Sequence, residues 1–298
     1  MSRVKQLALF TVVAALVIGV TYLWGGGNAL KEGGGGNKGT VKIGYNNWAE
    51  NIAVTNMWKV LLEEKGYQVQ TTQTEKAPLW SGAASGSIDI MPEVWLPTTD
   101  KPFYSEYKDQ LELHQTWYKG TNLGLVVPSY VKVDRIDQLN RNKGQFKRGG
   151  EPTIVGIDPG ASLMRLTEKA VKEYGLDFKL LESSEPAMLS ELEKAIRDQD
   201  PVLVTLWNPH WIFSKYDNLK YLKDPKNVYG DQEDIYFVTR KGFKKEHPEV
   251  VKWMNQWQMD DQTLGKLMQT VEESDDPEEG AKKWIEENRK LVDQWLKE

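Results

Sequence analysis

Cysteine is absent from the 298 residues. That absence excludes disulfides, thiolate metal sites, a cysteine nucleophile and a lipid anchor built on cysteine. Histidine is scarce, with only His114, His210 and His247, and no HExxH spacing joins them. No metal or cofactor is implied. A GxSxG nucleophile elbow and a Walker A loop are missing as well. The formal net charge is −5, and the basic residues are not clustered. This argues against a nucleic-acid partner.

What is present is length and tryptophan. The length suggests two domains or lobes with ample core. Among the 12 tryptophans, three share one setting. Residues 202–211, VLVTLWNPHW, begin as a β-branched, apolar run that reads as a buried strand. The run stops at Trp207-Asn208-Pro209, because proline ends strand pairing and biases the residue before it away from helix. Residues 88–97, IDIMPEVWLP, repeat the design with Trp95 ahead of Leu96-Pro97. In residues 41–48, VKIGYNNW, alternation gives way to Asn46-Asn47 and then Trp48. Ligands of open α/β sheets sit beyond the carboxyl ends of the strands. Three strands ending in tryptophan therefore predict a shared aromatic site. A quaternary ammonium has no N–H to satisfy, and each indole face is worth about 0.5–2 kcal/mol to such a cation. The aromatic site suits a methylated ammonium compound.

The periodicity predicts two β–α series. The first has strands at 41–45, 67–72 and 88–94 and helices at 52–65 and 78–85, in a βαβαβ rhythm that implies a largely parallel sheet. Residues 124–127 are a further apolar run. The second series has strands at 153–157, 178–182 and 202–206 and helices at 162–174 and 187–199. Residues 248–257 and 260–295 read as helical, with Trp253, Trp257, Trp284 and Trp295 as core; packing is the default for Trp80 and Trp117. At the front, Arg3 and Lys5 precede an apolar run at 7–24 long enough to cross a bilayer. It reads as an uncleaved transmembrane anchor or as a signal segment, followed at 25–40 by a Gly-rich tether.

Residues 156–162, GIDPGAS, lie between a strand and a helix. Ser162 reads as the N-cap, and the first-turn amides that follow have no helical partners. Such a terminus attracts a carboxylate without a basic side chain. It complements an ammonium box if the ligand is a zwitterion.

NNWAENIA, EVWLPTTDK, GIDPGASLM and TLWNPHW, in this order, resemble the signature segments of the glycine betaine/choline-type substrate-binding proteins of ABC importers. The resemblance covers nearly the whole chain after about residue 40. It implies an α/β, two-lobed, type II periplasmic-binding-protein-like fold, each lobe a mixed sheet flanked by helices; the apolar run at 7–24 adds the expectation of an N-terminal membrane-spanning helix ahead of it. Lobe 1 is then 41–127 with 230–298, and lobe 2 is 128–229. The resemblance implies a binding protein and not an enzyme. It would deliver glycine betaine, or alternatively choline or carnitine, to an ABC permease whose ATPase subunit is another chain. The place implied is the cell membrane, with the binding domain on the extracellular or periplasmic side. The rival is an enzyme acting on small cations on the same scaffold.

Carried over position by position, Trp48, Trp95 and Trp207 form the box, and the amides of Ser162 and Leu163 hold the ligand's carboxylate. A subset of the family places a histidine after the second box tryptophan to help hold that carboxylate; this chain has Asp100, which would repel a carboxylate unless turned away. Glu50 stands where choline-binding members carry an acid near the hydroxyl end. It reads equally as an exposed acid at a helix start. His210 reads as fixing the loop that carries Trp207.

Overall fold

The computed structural model describes residues 38–297. The apolar run at 7–24 and nearly all of the Gly-rich tether lie outside them. Among the described residues, no helix is long and apolar enough to cross a membrane.

Among the described residues, ten strands form one mixed sheet: β1 (Thr40–Tyr45), β2 (Gln68–Gln73), β3 (Ile90–Leu96), β4 (Leu111–Pro128), β5 (Lys147–Arg148), β6 (Glu151–Val155), β7 (Lys179–Leu181), β8 (Val204–Asn208), β9 (Leu219–Tyr221) and β10 (Glu233–Arg240). The order is β2-β1-β3-β10-β4-β8-β6-β5, with β7 on β6 and β9 on β4. β1 pairs in parallel with β2 and β3, and β6 with β7 and β8. Antiparallel β10 lies between β3 and β4, so the first half is mixed where the βαβαβ rhythm predicts a largely parallel sheet.

β4 joins the two halves. Its residues from Leu111 to Thr121 pair with β10, and those from Asn122 onward pair with β8 and β9. The apolar run at 124–127 is only the far end of this 18-residue strand. Its first part, LELHQTWYKG, mixes polar and apolar residues on a half-exposed surface and gives no strong run.

Two helices start earlier than the pattern predicts, and both shifts matter. The Ala49–Glu64 helix takes Glu50 into its first turn, and the Lys76–Ser85 helix takes in Lys76. The Ser162–Tyr174 helix lies where the periodicity puts it and ends on Gly175, whose φ of 57° needs no Cβ. Its cap differs from expectation: Ala161 is the N-cap, and Ser162 is the first helical residue. The hydroxyl of Ser162 turns to a carboxylate, described below, and does not cap the helix.

The C-terminal helices Pro248–Gln256, Asp261–Glu272, Pro277–Glu287 and Arg289–Trp295 complete the core. The middle two pack on the Ala49–Glu64 helix. Trp257 stacks on Trp117 at 4.0 Å and meets the edge of Trp58 at 5.5 Å. Trp253, Trp284 and Trp295 are buried with them. These rings supply apolar area to the interior.

Candidate functional site

Three strand ends converge on one cavity. β1 ends at Tyr45, three residues before Trp48, the N-cap of the Ala49–Glu64 helix. β3 carries Trp95 ahead of a cis Leu96–Pro97 bond, and β8 carries Trp207 ahead of a cis Asn208–Pro209 bond. All three rings line the cavity. Trp48 and Trp207 meet edge to face, with centroids 6.5 Å apart and planes at 61°.

Each indole N–H is tied to a different carboxylate. Trp48 Nε1 donates to Asp158 Oδ2 at 3.4 Å, and Trp207 Nε1 to Glu50 Oε2 at 3.0 Å. Trp95 Nε1 donates to Glu93 Oε1. Such acceptors satisfy indole N–H groups taken out of water. Here the acceptors also fix the three rings at their edges.

Two of these acids line the cavity. Glu50 is 1% exposed and Glu93 is 3% exposed. Glu50 is therefore not the exposed acid at a helix start. Burial, and after it the charge of Glu185, pushes its carboxyl up to about 8. Burial and then Glu50 hold Glu93 well above the carboxylate range, with Lys76 opposing and Asp100 adding to the rise. Glu93 Oε2 is buried with no hydrogen-bond partner among the described residues. A cation in the cavity would offset the cost of ionising this pair.

Ser162 and Leu163 line the same cavity. Neither of their backbone N–H groups finds an acceptor among the described residues, as the start of a helix leaves them. Asp100 does not line the cavity. It is fully buried behind it and accepts from the Lys76 ammonium at 2.8 and 3.0 Å, from the Trp95 N–H at 3.0 Å and from Ser162 Oγ at 3.3 Å. Its charge is spent on these donors.

His210 also lies outside the cavity. Its Nδ1 accepts from the Ile212 N–H at 3.1 Å, so its Nε2 carries the proton and donates to Glu185 Oε1 at 3.0 Å. Burial pushes the imidazole down to about 3, which keeps it neutral. Glu185 Oε2 accepts from the Ala49 N–H at 3.1 Å. The chain of bonds from Ala49 through Glu185 to His210, whose ring meets the edge of Trp207 at 4.9 Å, holds Trp48 and Trp207 in place together. Further bonds cross between the halves, such as that from Arg165 to the Thr99 carbonyl at 3.3 Å.

Sequence reasoning did not single out Lys76, Glu93 or Glu185. Glu93 carries a signal in hindsight: it sits in a strand buried at all but its last residue, where an unpaired acid is costly. Lys76, in a polar TEKAP stretch, carries none.

Residues 39–287 match the family described as the substrate binding domain of ABC-type glycine betaine transport systems. A glycine betaine/carnitine transport binding protein, GbuC, of Listeria monocytogenes serotype 1/2a (strain 10403S) is 44% identical over 146 residues, which are 48% of this chain and 48% of that protein. The chain thus spans about half the length of the curated relative it matches. Lactococcal OpuAC, solved in its closed-liganded conformation complexed with glycine betaine, is 37% identical with a TM-score of 0.79, over 87% of this chain and 99% of that one. The glycine/betaine/L-proline-binding protein ProX from Borrelia burgdorferi is 33% identical with a TM-score of 0.81, over 87% of this chain and 97% of that one. The fold is the α/β two-lobed periplasmic-binding-protein-like fold with a curled mixed sheet.

Proposed function

The chain belongs to the family of substrate-binding domains of ABC-type glycine betaine transport systems, and from that premise we propose that it captures a quaternary ammonium solute, glycine betaine first, for delivery to an ABC permease and its ATPase subunit. It is a binding protein and not an enzyme. The observation that carries this reading is the convergence of Trp48, Trp95 and Trp207 on one cavity beside two buried carboxyls. Aromatic faces and acids attract a cation, and the apolar walls favour one with no N–H to satisfy.

In this reading the three rings take the trimethylammonium head, with Glu50 and Glu93 as counter-ions. The free N–H groups of Ser162 and Leu163 take the carboxylate at the other end. Asp100 and His210 act from behind, through Lys76 and Ser162 and through Glu185 and Trp207 respectively. Choline is the second reading, favoured by Glu50, which lines the cavity and can accept from a hydroxyl. The lobes divide, we propose, where β4 changes partner between Thr121 and Asn122 and again near residue 230. The apolar run at 7–24 tethers the binding domain at the outer face of the membrane.

A calorimetric screen of glycine betaine, choline, carnitine and dimethylglycine tests the reading. Glycine betaine should bind most tightly, and dimethylglycine, with an N–H left unpaired, more weakly. Absence of binding by all the trimethylated compounds would refute the reading.

A further inference from the structure

Lys76 is a lysine in an aromatic box for cations, which is an odd place for one. It is 4% exposed and lines the cavity, and its ammonium stands 5.0 Å from the centre of the Trp48 ring. A buried ammonium needs a counter-ion, and Asp100 supplies it at 2.8 Å. That pairing accounts for the fit but leaves a donor over. The ammonium has three N–H groups, and Asp100 is its one hydrogen-bond partner among the described residues.

The position of the ammonium is set by the same carboxylate oxygen that holds the start of the helix. Asp100 Oδ1 accepts from Lys76 Nζ and from Ser162 Oγ. The ammonium and the first turn of the Ser162–Tyr174 helix are therefore neighbours at one wall of the cavity. Asp100 is anchored in turn by the Trp95 N–H. Glu50 and Glu93 stand in the same cavity, within electrostatic reach of one another, and the Lys76 charge is felt by Glu93. The wall thus offers a fixed positive group and free amide donors, and the acids offer negative ones. Such a cavity is matched to a zwitterion.

We propose that Lys76 is a specificity-determining residue of this chain: its ammonium takes the carboxylate of a zwitterionic quaternary ammonium ligand, and Asp100 is the positioning residue that holds it there. The inference rests on the proposed function and adds to it a residue that distinguishes betaine-like from choline-like ligands. Asp100, an acid at a wall meant for a carboxylate, then has a use, because it orients the donor and its own charge is cancelled.

The test compares two ligands on three proteins. Wild type, Lys76→Met and the charge-balanced double variant Lys76→Met with Asp100→Asn are titrated with glycine betaine and with choline. The double variant guards against the unfolding that a lone buried Asp100 charge would provoke. Glycine betaine should weaken about tenfold or more in both variants, as for a lost charged hydrogen bond, while choline stays within about threefold or tightens. An unchanged betaine-to-choline ratio in the double variant overturns the proposal. Equal tightening of both ligands overturns it too, since Lys76 would then only compete for the Trp48 face. Failure of the wild-type chain to bind either ligand sinks the proposed function itself, before any variant is made.

Discussion

Lowering the pH should loosen the capture of a quaternary ammonium ligand, and the sign follows from the buried acids. Glu50 lies fully buried on the cavity wall, with Glu93 and Glu185 facing it, and its carboxyl is pushed from the ordinary 4.5 up to about 8 by burial first. Below that value it is neutral and attracts a cation weakly. Bringing a cation into the cavity favours the ionised form, so binding drives a proton off. Choline has no group that titrates in this window, and the proton must come from the protein. One released proton changes the affinity by up to about tenfold per pH unit below the pKa. The expected result is roughly a tenfold gain in choline affinity between about pH 6 and about pH 7, flattening above about 8. Calorimetry in two buffers with different heats of ionisation reads the proton directly. The stability of the empty protein runs the other way. A carboxyl raised in the folded state stabilises most below its unfolded value near 4.5, and that contribution is lost as the pH rises through about 8. The melting temperature without ligand should therefore fall over this range while the gain on adding ligand grows. An affinity that stays flat, with no proton released, would refute the argument that these acids are the counter-ions.

Three further outcomes are expected. Trp48→Ala, Trp95→Ala and Trp207→Ala should each cost about 1–3 kcal/mol of ligand affinity, whereas Trp253→Ala should lower stability and leave the affinity of the folded fraction unchanged; equal affinities throughout, read by calorimetry, would remove the box. Glu50→Gln should weaken choline more than glycine betaine, because the lost charge attracts both cations but opposes betaine's carboxylate; unchanged affinity for both ligands would place Glu50 away from the ligand. Gly156→Ala should destabilise by about 1–3 kcal/mol, since its Cβ would stand 2.5 Å from Met164 Sδ and 2.9 Å from the Leu181 carbonyl oxygen; an unchanged denaturation midpoint in urea would contradict this.

Much of the local structure was legible in the chain alone. The Ser162–Tyr174 helix follows from its periodicity and Gly175. The placing of Trp48 just beyond a strand, and of Trp95 and Trp207 next to the last residue of theirs, follows from the Pro and Asn residues that stop each apolar run. These signals work because secondary structure and its interruption are set by neighbours within a few residues. What the sequence hid was long-range. β10 inserts antiparallel between β3 and β4, and nothing near Glu233–Arg240 encodes which strands it will meet. Asp100 reads as an acid fit to repel a carboxylate, and only the fold shows Lys76, 24 residues earlier, holding its oxygens. Glu50 reads equally as a ligand-site acid and as a surface acid, and the choice is made only where β8 brings Trp207 to it across 157 residues. Glu185 and His210 likewise acquire their bond to each other and to Ala49 through packing alone. The sequence determined which side chains stand at the ends of the strands. The tertiary structure decided which charges face one another there, because charge pairing in a buried site depends on distance in space and on the water excluded around it, and neither is written in the order of the residues.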